Sequence, residues 1–181
     1  MRAVPGGSHP QWGTRNALLA LGPVVYLEII APDPALTRPE QGYAFGIDGL
    51  EKPTLVTWAM KSDNIDKVSE HAREEGYDPG PALGGSRALP DGGSLRWRLT
   101  MPESERGGGL IPFLIDWGAS THPAASLPQG GHLASLKGKH PNPARVSTAL
   151  TALGVRIPVT HGSRPELIAT IETSKGSVLL S

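Results

Sequence analysis

The same order of predicted elements occurs twice in this chain, and this repeat constrains the fold more than any other feature. Residues 54–117 are predicted to form a strand, a helix and three further strands, and residues 132–180 give that order again. In both segments a polar residue suited to cap a helix follows the first strand, and a glycine, Gly76 or Gly154, ends the helix. The repeat predicts two α+β units in which helices cover one sheet face and the other face curves around a ligand.

The predicted elements divide the chain into three parts. Residues 1–53 hold a partial first module, residues 54–118 a complete βαβββ module, and residues 119–181 a linker and a third, similar module. The predicted strands cover residues 14–21, 24–31, 54–60, 82–89, 95–101, 110–117, 132–138, 156–160, 166–172 and 177–180. The predicted helices cover residues 65–75 and 144–153, with a loop at residues 6–13, a long connection at 32–53 and a turn at 90–93. The predicted fold class is α+β, with repeated βαβββ modules that form curved mixed sheets and carry helices on the outer face.

Composition argues against several classes of function. The chain has 17 basic and 17 acidic side chains, and the basic ones are not interleaved with aromatic residues, which argues against a nucleic-acid partner. No apolar run is long enough to span a membrane and the N-terminus lacks the apolar core of a signal peptide, so we expect a cytoplasmic protein without a membrane partner. Because cysteine is absent, a metal ion would have to bind through His, Asp or Glu.

One predicted strand combines a pocket-like face with a carboxylate. Alternation over residues 24–31 places Tyr26, Glu28 and Ile30 on one face, and the opposite, entirely apolar face is predicted to be core. The apolar neighbours of Glu28 favour a partly buried carboxylate in a pocket wall. The alternative is a solvent-facing residue on a half-buried strand.

Three basic residues each allow two interpretations. In residues 95–101, a face with Trp97 alternates with a face that carries Arg98. Arg98 and Arg87 are either solvated surface residues or donors aimed at an anionic substrate. His9, in a loop-like stretch, either satisfies turn backbone or acts as an acid–base group near neutral pH.

Three ordered segments resemble a known family. Residues 6–34 (GGSHPQWGTRNALLALGPVVYLEIIAPDP) are similar to the opening of glyoxalase-like domains in the vicinal oxygen chelate superfamily. Residues 86–99 (SRALPDGGSLRWRL) and residues 110–118 (LIPFLIDWG) resemble the second module of the same family. The resemblance implies a lyase, isomerase or dioxygenase type of activity, in which a divalent metal ion binds vicinal oxygens of a small substrate.

The resemblance also implies ligand positions, which this chain fills only in part. The family takes a carboxylate from the last strand of each module and a histidine or similar ligand from the first strand. Glu28 and Asp116 match the two carboxylate positions, whereas Thr57 stands where a first-strand ligand is expected, and threonine is a poor replacement for imidazole.

The resemblance further implies a missing piece, because a complete first module begins with another strand and helix, and only five residues precede Gly6. We therefore expect residues 18–31 to be covered by residues 167–180 or by a second copy of the chain in a homodimer.

These observations lead to a candidate site and three hypotheses, of which the last is an inactive partial relative whose missing first strand is supplied by dimerisation. The first is a small-molecule enzyme, with a divalent metal ion as the implied cofactor. The second is a non-catalytic small-molecule-binding or resistance module on the same fold, which needs an apolar cup and no metal. The candidate residues are Glu28 and His9 for catalysis, Asn16, Tyr26, Trp58, Arg87, Trp97 and Arg98 for substrate binding, and Glu28 with Asp116 for an incomplete metal site.

Overall fold

The computed structural model describes residues 2–88, 93–101 and 106–181. Its strands are β1 (Val4–His9), β2 (Thr14–Gly22), β3 (Val25–Pro32), β4 (Ala59–Lys61), β5 (Ala82–Ala88), β6 (Ser94–Thr100), β7 (Phe113–Asp116), β8 (His132–His140), β9 (Val159–His161), β10 (Glu166–Thr173) and β11 (Gly176–Leu180). The α-helices are α1 (Ile65–Glu74) and α2 (Pro143–Ala152). In the part of the chain covered by these ranges, neither helix has the length and apolar character needed to cross a membrane.

The strands form three sheets. The first sheet is antiparallel in the order β1-β2-β3; the second has the order β4-β7-β6-β5, and the third the order β11-β10-β8-β9. Pairing is parallel between β4 and β7 and between β8 and β9, and antiparallel elsewhere within these sheets. This arrangement confirms the predicted α+β class with mixed sheets. The predicted turn at residues 90–93 falls almost wholly outside the described residues.

The repeat holds in chain order but not in strand pairing. Both later sheets run strand, helix and three strands along the chain. In the second sheet the first strand, β4, pairs with the last strand of its unit, whereas in the third sheet β8 lies between β9 and β10. Periodicity predicts where strands and helices lie along the chain, but it does not predict which strands pair. After a helical crossover, the next parallel strand can lie either beside the first strand or further along the sheet.

The prediction of a loop over residues 6–13 is wrong for its first part, because Val4–His9 form an edge strand. This strand pairs with β2 from Val4 opposite Leu18 to His9 opposite Thr14, with a bulge after Pro5. Its proline and two glycines are depleted in strands, which is why the pattern was not recognised. Proline is tolerated at an edge, and a Cβ on Gly6 would collide with the side chain of Asn16.

The strands predicted over residues 54–60 and 110–117 are shorter than expected. Only Ala59–Lys61 and Phe113–Asp116 form ladders. The chain before β4 is held differently: Nε1 of Trp58 donates a hydrogen bond to the carbonyl oxygen of Leu110, at 2.8 Å. The carbonyl oxygen of Trp58 also accepts a hydrogen bond from the amide of Phe113 at 3.3 Å, so a side-chain and a backbone bond together hold this segment.

Two cores lie on opposite faces of the second sheet. The helix-side core joins α1 and α2 to this sheet and consists of Ile65, Ala72, Leu110, Ile111, Leu114, Val146, Ala149, Leu150 and Leu153. The second core consists of Leu95, Leu99, Ile115 and Trp117, against which Trp12 and Tyr26 pack. Because Leu114 and Ile115 are successive strand residues, they point to opposite faces. We call the face that carries Ile115 the cleft face.

The entirely apolar face of β3 was expected to be core, and this expectation is wrong at its edge. Ile29 is 52% exposed, and Val24, in the turn before β3, is 59% exposed. Within the described residues, β3 pairs with β2 alone, which leaves its other edge open. The strand that another segment covers is β2. The amide of Ala20 donates a hydrogen bond to the carbonyl oxygen of Pro128 at 3.2 Å, and the carbonyl oxygen of Ala20 accepts one from the amide of Gly130 at 2.8 Å. The cover observed at β2 is thus the connection before β8.

Candidate functional site

A cleft of about 1230 Å³ lies at the cleft face of the second sheet. It is bordered by β2, by the short helical turn before β2 and by the connection that follows β7. Its apolar and aromatic lining comprises Trp12, Leu18, Leu83, Leu95, Trp97 and Trp117. Leu83 is 49% exposed, which is the behaviour of an apolar residue that faces a ligand cavity.

The aromatic lining is held by ring contacts and by one glycine. The ring centroids of Trp97 and Trp117 are 5.8 Å apart, and His122 makes edge contacts with Trp117 at 5.9 Å and with Tyr26 at 5.6 Å. Gly85 lies opposite Trp97 in the ladder, and a Cβ there would lie only 2.5 Å from the indole ring. The glycine therefore makes room for the ring of Trp97.

Polar residues of the first sheet meet an arginine of the second sheet beside this cleft. In the ladders His9 pairs with Thr14, and Asn16 and Glu28 lie on the same sheet face by alternation. Nδ2 of Asn16 donates to Oε1 of Glu28 at 2.7 Å, and Nδ1 of His9 shares a hydrogen bond of 3.1 Å with Oγ1 of Thr14. From β5, Nη1 of Arg87 donates to the carbonyl oxygen of Gly6 in β1. We call His9, Asn16, Tyr26, Glu28 and Arg87 the polar cluster.

Electrostatics tie the members of the polar cluster together. Burial lowers the pKa of His9, with Arg87 acting in the same direction and Glu28 opposing it. Burial raises the pKa of Tyr26, with Glu28 acting in the same direction and Arg87 opposing it. His9 is therefore neutral at pH 7, and within the described residues its Nε2 atom has no hydrogen-bond partner. Such an imidazole can accept a proton while Arg87 stabilises negative charge nearby.

Asp116 borders the cleft, but its hydrogen bonds do not support the expectation that it points to the same sheet face as Glu28. Asp116 follows Ile115, which lies on the cleft face, so its carboxylate points to the helix side. There its two oxygens accept hydrogen bonds from the amides of Gly118 at 2.8 Å and Ile65 at 3.4 Å. Asp116 thus caps a turn and touches the start of α1, which is the alternative role for a carboxylate at a loop.

The remaining donors do not fit a divalent metal ion. Nowhere in residues 2–88, 93–101 and 106–181 do three or more histidine or carboxylate side chains come together to hold one. Glu28 is exposed and accepts a hydrogen bond from Asn16. The guanidinium of Arg87 acts electrostatically on His9 and Tyr26, the same two side chains on which Glu28 acts, and its positive charge opposes a cation at this place. Thr57, at the expected first-strand position, lines a different cavity.

Two predicted substrate-binding residues belong neither to the polar cluster nor to the aromatic wall of the cleft. Trp58 packs against the helix-side core. Arg98 borders the cleft, but its guanidinium forms a two-pronged ion pair with Asp66 of α1, at 2.7 and 2.8 Å. Arg98 therefore fastens β6 to the helix, and the substrate-directed interpretation is not supported by its contacts.

Sequence reasoning missed Trp12, Trp117 and His122 as parts of this region. The signal for Trp117 was present, since Phe113, Ile115 and Trp117 alternate and share the cleft face. The same alternation would have placed Asp116 on the opposite face.

Comparison with known proteins agrees with this architecture. Residues 1–154 match a family model described as a glyoxalase-like domain. A solved structure of a hypothetical protein from Staphylococcus aureus superposes with a TM-score of 0.67 at 13% identity, covering 93% of this chain and 82% of that chain. At this identity the similarity shows the fold alone, and no curated protein matches the sequence significantly. The family match spans most of the chain, from β1 to the end of α2, and the chain therefore belongs to the glyoxalase-like domain family of the vicinal oxygen chelate type.

Proposed function

We propose that the cleft binds a small organic molecule with a planar apolar body and an anionic oxygen, held by protein side chains alone. The observation that carries this proposal is the position of Arg87 beside an aromatic wall. Arg87 lies opposite Leu95 and Gly85 lies opposite Trp97, so Arg87 and Trp97 are diagonal neighbours on the cleft face. A planar body can stack on the indoles while the guanidinium forms a two-pronged contact with a carboxylate.

Matched ligands test this proposal. Benzoate and its neutral amide, benzamide, share a planar body and differ in charge, so their affinities isolate the contribution of Arg87. We expect benzoate to bind more tightly than benzamide by ligand-observed NMR. Arg87→Gln should remove that difference by weakening benzoate about 10- to 100-fold, because a charged hydrogen-bond partner is lost. Arg15→Gln, an exposed site on the other face of β2, is the matched control. Equal binding of the two ligands to the unmodified protein would contradict the proposal.

A second candidate function is proton transfer in the same cleft, and the state of His9 favours it. A neutral imidazole beside a guanidinium is suited to remove a proton next to a carbonyl group while Arg87 stabilises the resulting oxyanion. This is the lyase or isomerase type of chemistry expected from the family resemblance. Glu28, held by Asn16, would stabilise the protonated imidazole.

Hydrogen–deuterium exchange at carbon tests the second candidate. In D₂O, small α-hydroxy ketones should exchange the proton next to the carbonyl faster with the protein than without it. His9→Asn should abolish this acceleration, whereas His71→Asn, an exposed histidine on α1, should retain it. Equal acceleration by both variants would exclude His9 as the base.

A further inference from the structure

A second cavity, of about 630 Å³, lies on another part of the molecule. It is formed by residues 52–57, by the glycines that precede β7 and by the start of β10, and it shares no lining residue with the cleft. The short aromatic series of Trp12, Phe45 and Phe113, with centroids 6.1 and 5.7 Å apart, runs between the two. Trp12 lines the cleft and Phe45 lines the second cavity, so the two spaces are separate.

The most informative group in this cavity is Arg106. Its guanidinium carbon lies 5.6 Å from the ring centroid of Phe45 and 5.7 Å from that of Phe113. Burial lowers its pKa, which means that the charged form is held in a desolvated place. Its Nη1 atom is buried and has no hydrogen-bond partner among the described residues. Two aromatic faces compensate the charge in part, but they supply no acceptor for this N–H group.

A second polar group in the same cavity also lacks a partner. Oγ1 of Thr57 is buried without a hydrogen bond in the part of the chain that the structure describes. The backbone around it is tightly fixed, because a Cβ on Gly109 would collide with the carbonyl oxygen of Val56. Phe45, at the cavity wall, has a φ of 62°, a left-handed conformation that a residue with a bulky side chain seldom adopts. These features describe a built site rather than an incidental gap.

Cationic side chains outnumber anionic ones around the cavity. Lys52 and Arg164 line it together with Arg106, and none of the three forms an ion pair within the described ranges. The lining carboxylate is Glu166, which is paired with Lys139 at 3.0 Å and therefore does not neutralise them. The cavity is thus a concave, positively charged space.

We propose that this cavity binds a small oxyanion, a phosphate or carboxylate group, through Arg106 and Thr57, with Lys52 and Arg164 adding charge at its wall. A buried guanidinium N–H without an acceptor is costly, and water would satisfy the hydrogen bond but leave the charge uncompensated. An oxyanion supplies both the acceptor and the charge. None of these residues lines the cleft, and Thr57 alone among them stands at a position to which the family resemblance gives a role, that of a metal ligand.

Thermal unfolding at constant ionic strength tests the proposal with two probes. Inorganic phosphate and acetate are titrated separately against chloride, and we expect at least one to raise the Tm of the unmodified protein in a saturable manner. The probe with the lower half-saturation concentration identifies the oxyanion class. Arg106→Gln should raise that concentration about 10- to 100-fold, while Arg145→Gln, an exposed arginine on α2, should leave it unchanged.

The same variants guard against a folding defect. Without any added oxyanion, Arg106→Gln should unfold at the same or a higher temperature than the unmodified protein, because an uncompensated buried charge is gone. If that variant fails to fold, Arg164→Gln provides the second test and should weaken the response as well. A Tm that changes linearly and equally in the unmodified protein and in Arg106→Gln would overturn the proposal, as would no saturable response to either probe.

Discussion

At the scale of single residues, His9 is the group whose chemistry the fold changes most clearly beside the cleft. It ends β1 and is tied to Thr14 at the start of β2, so two adjacent strands fix its ring. Burial and Arg87 favour the neutral imidazole, and Glu28 limits this effect. Arg87 and Glu28 therefore act in opposite directions on the protonation of His9, and a perturbed histidine is common where a protein performs acid–base chemistry.

NMR titration of the histidine rings checks this account. The pKa of His9 should lie below 6.5, the value for an unperturbed imidazole. Glu28→Gln should lower the pKa further, because it removes the carboxylate that favours the charged ring, and Arg87→Gln should raise it. A His9 pKa above 6.5, or shifts of the opposite sign in these variants, would contradict the proposed polar cluster.

The lowered pKa of His9 also makes the free energy of unfolding depend on pH. Between the folded pKa of His9 and 6.5 the unfolded chain binds more protons than the folded one, so the free energy of unfolding rises with pH in that interval. The stabilisation is complete above about pH 6.5 and is lost as the pH falls. His9→Asn should flatten this part of the urea-unfolding profile. His122, whose pKa is also lowered by burial, contributes with the same sign and should keep some slope in that variant.

Sequence alone located much of the polar cluster but not all of the candidate residues. His9, Glu28 and Arg87 were recognisable because they combine reactive side chains with alternating or family-like surroundings. Asp116 was assigned by its place near a strand end, whereas the direction of its side chain follows from the alternation around it. Trp58 was expected at the substrate, but it lies two residues before Met60 in extended chain, and both side chains pack against the helix-side core.

At the scale of elements, β5 and β6 form the wall that gives the cleft its shape. Their ladder brings Gly84 and Gly85 opposite Arg98 and Trp97. The two glycines differ in surroundings, since a Cβ on Gly84 meets no atom within 4 Å, whereas one on Gly85 meets the indole of Trp97. Successive strand residues point to opposite faces, so only Gly85 points into the space that the indole occupies.

A pair of alanine substitutions exploits this difference. Gly85→Ala should lower the free energy of unfolding by about 1–3 kcal/mol, because the added methyl overpacks against the ring of Trp97. Gly84→Ala should be neutral or stabilising by about 0.4–1 kcal/mol, since it adds only a constraint on the unfolded chain. Urea unfolding followed by tryptophan fluorescence measures both. Equal effects of the two substitutions would show that Trp97 does not pack against β5 as described.

Prediction of elements from the sequence succeeded where periodicity is strong and failed where composition hides it. Both helices lie within one or two residues of their predicted bounds, because Asn64 and Asn142 cap them as the sequence indicated. The strand Val4–His9 was missed since its proline and glycines resemble a turn. Strand order in the third sheet had no local signal, because pairing depends on contacts distant in the chain.

In the molecule as a whole, the edge of β3 that faces away from β2 pairs with no other strand of the described residues. Val24 and Ile29 are more than half exposed there, and unpaired strand edges with apolar side chains favour association. A homodimer through this edge, already expected from the sequence, remains a prediction. Sedimentation should show a concentration-dependent mass, and Ile29→Lys should shift it to the monomer. A monomer at all concentrations would contradict the predicted interface.

We expect the planar body of the ligand to bind in the aromatic cleft. The chain has four tryptophans, of which Trp12, Trp97 and Trp117 line the cleft while Trp58 packs in the helix-side core. Heteronuclear NMR of the indole N–H groups during a benzoate titration reports on all four at once. We predict that the signals of the three cleft tryptophans shift with one saturable affinity while that of Trp58 stays in place. If all four signals stay in place, or if only that of Trp58 shifts, the proposed binding of the ligand in the aromatic cleft is contradicted.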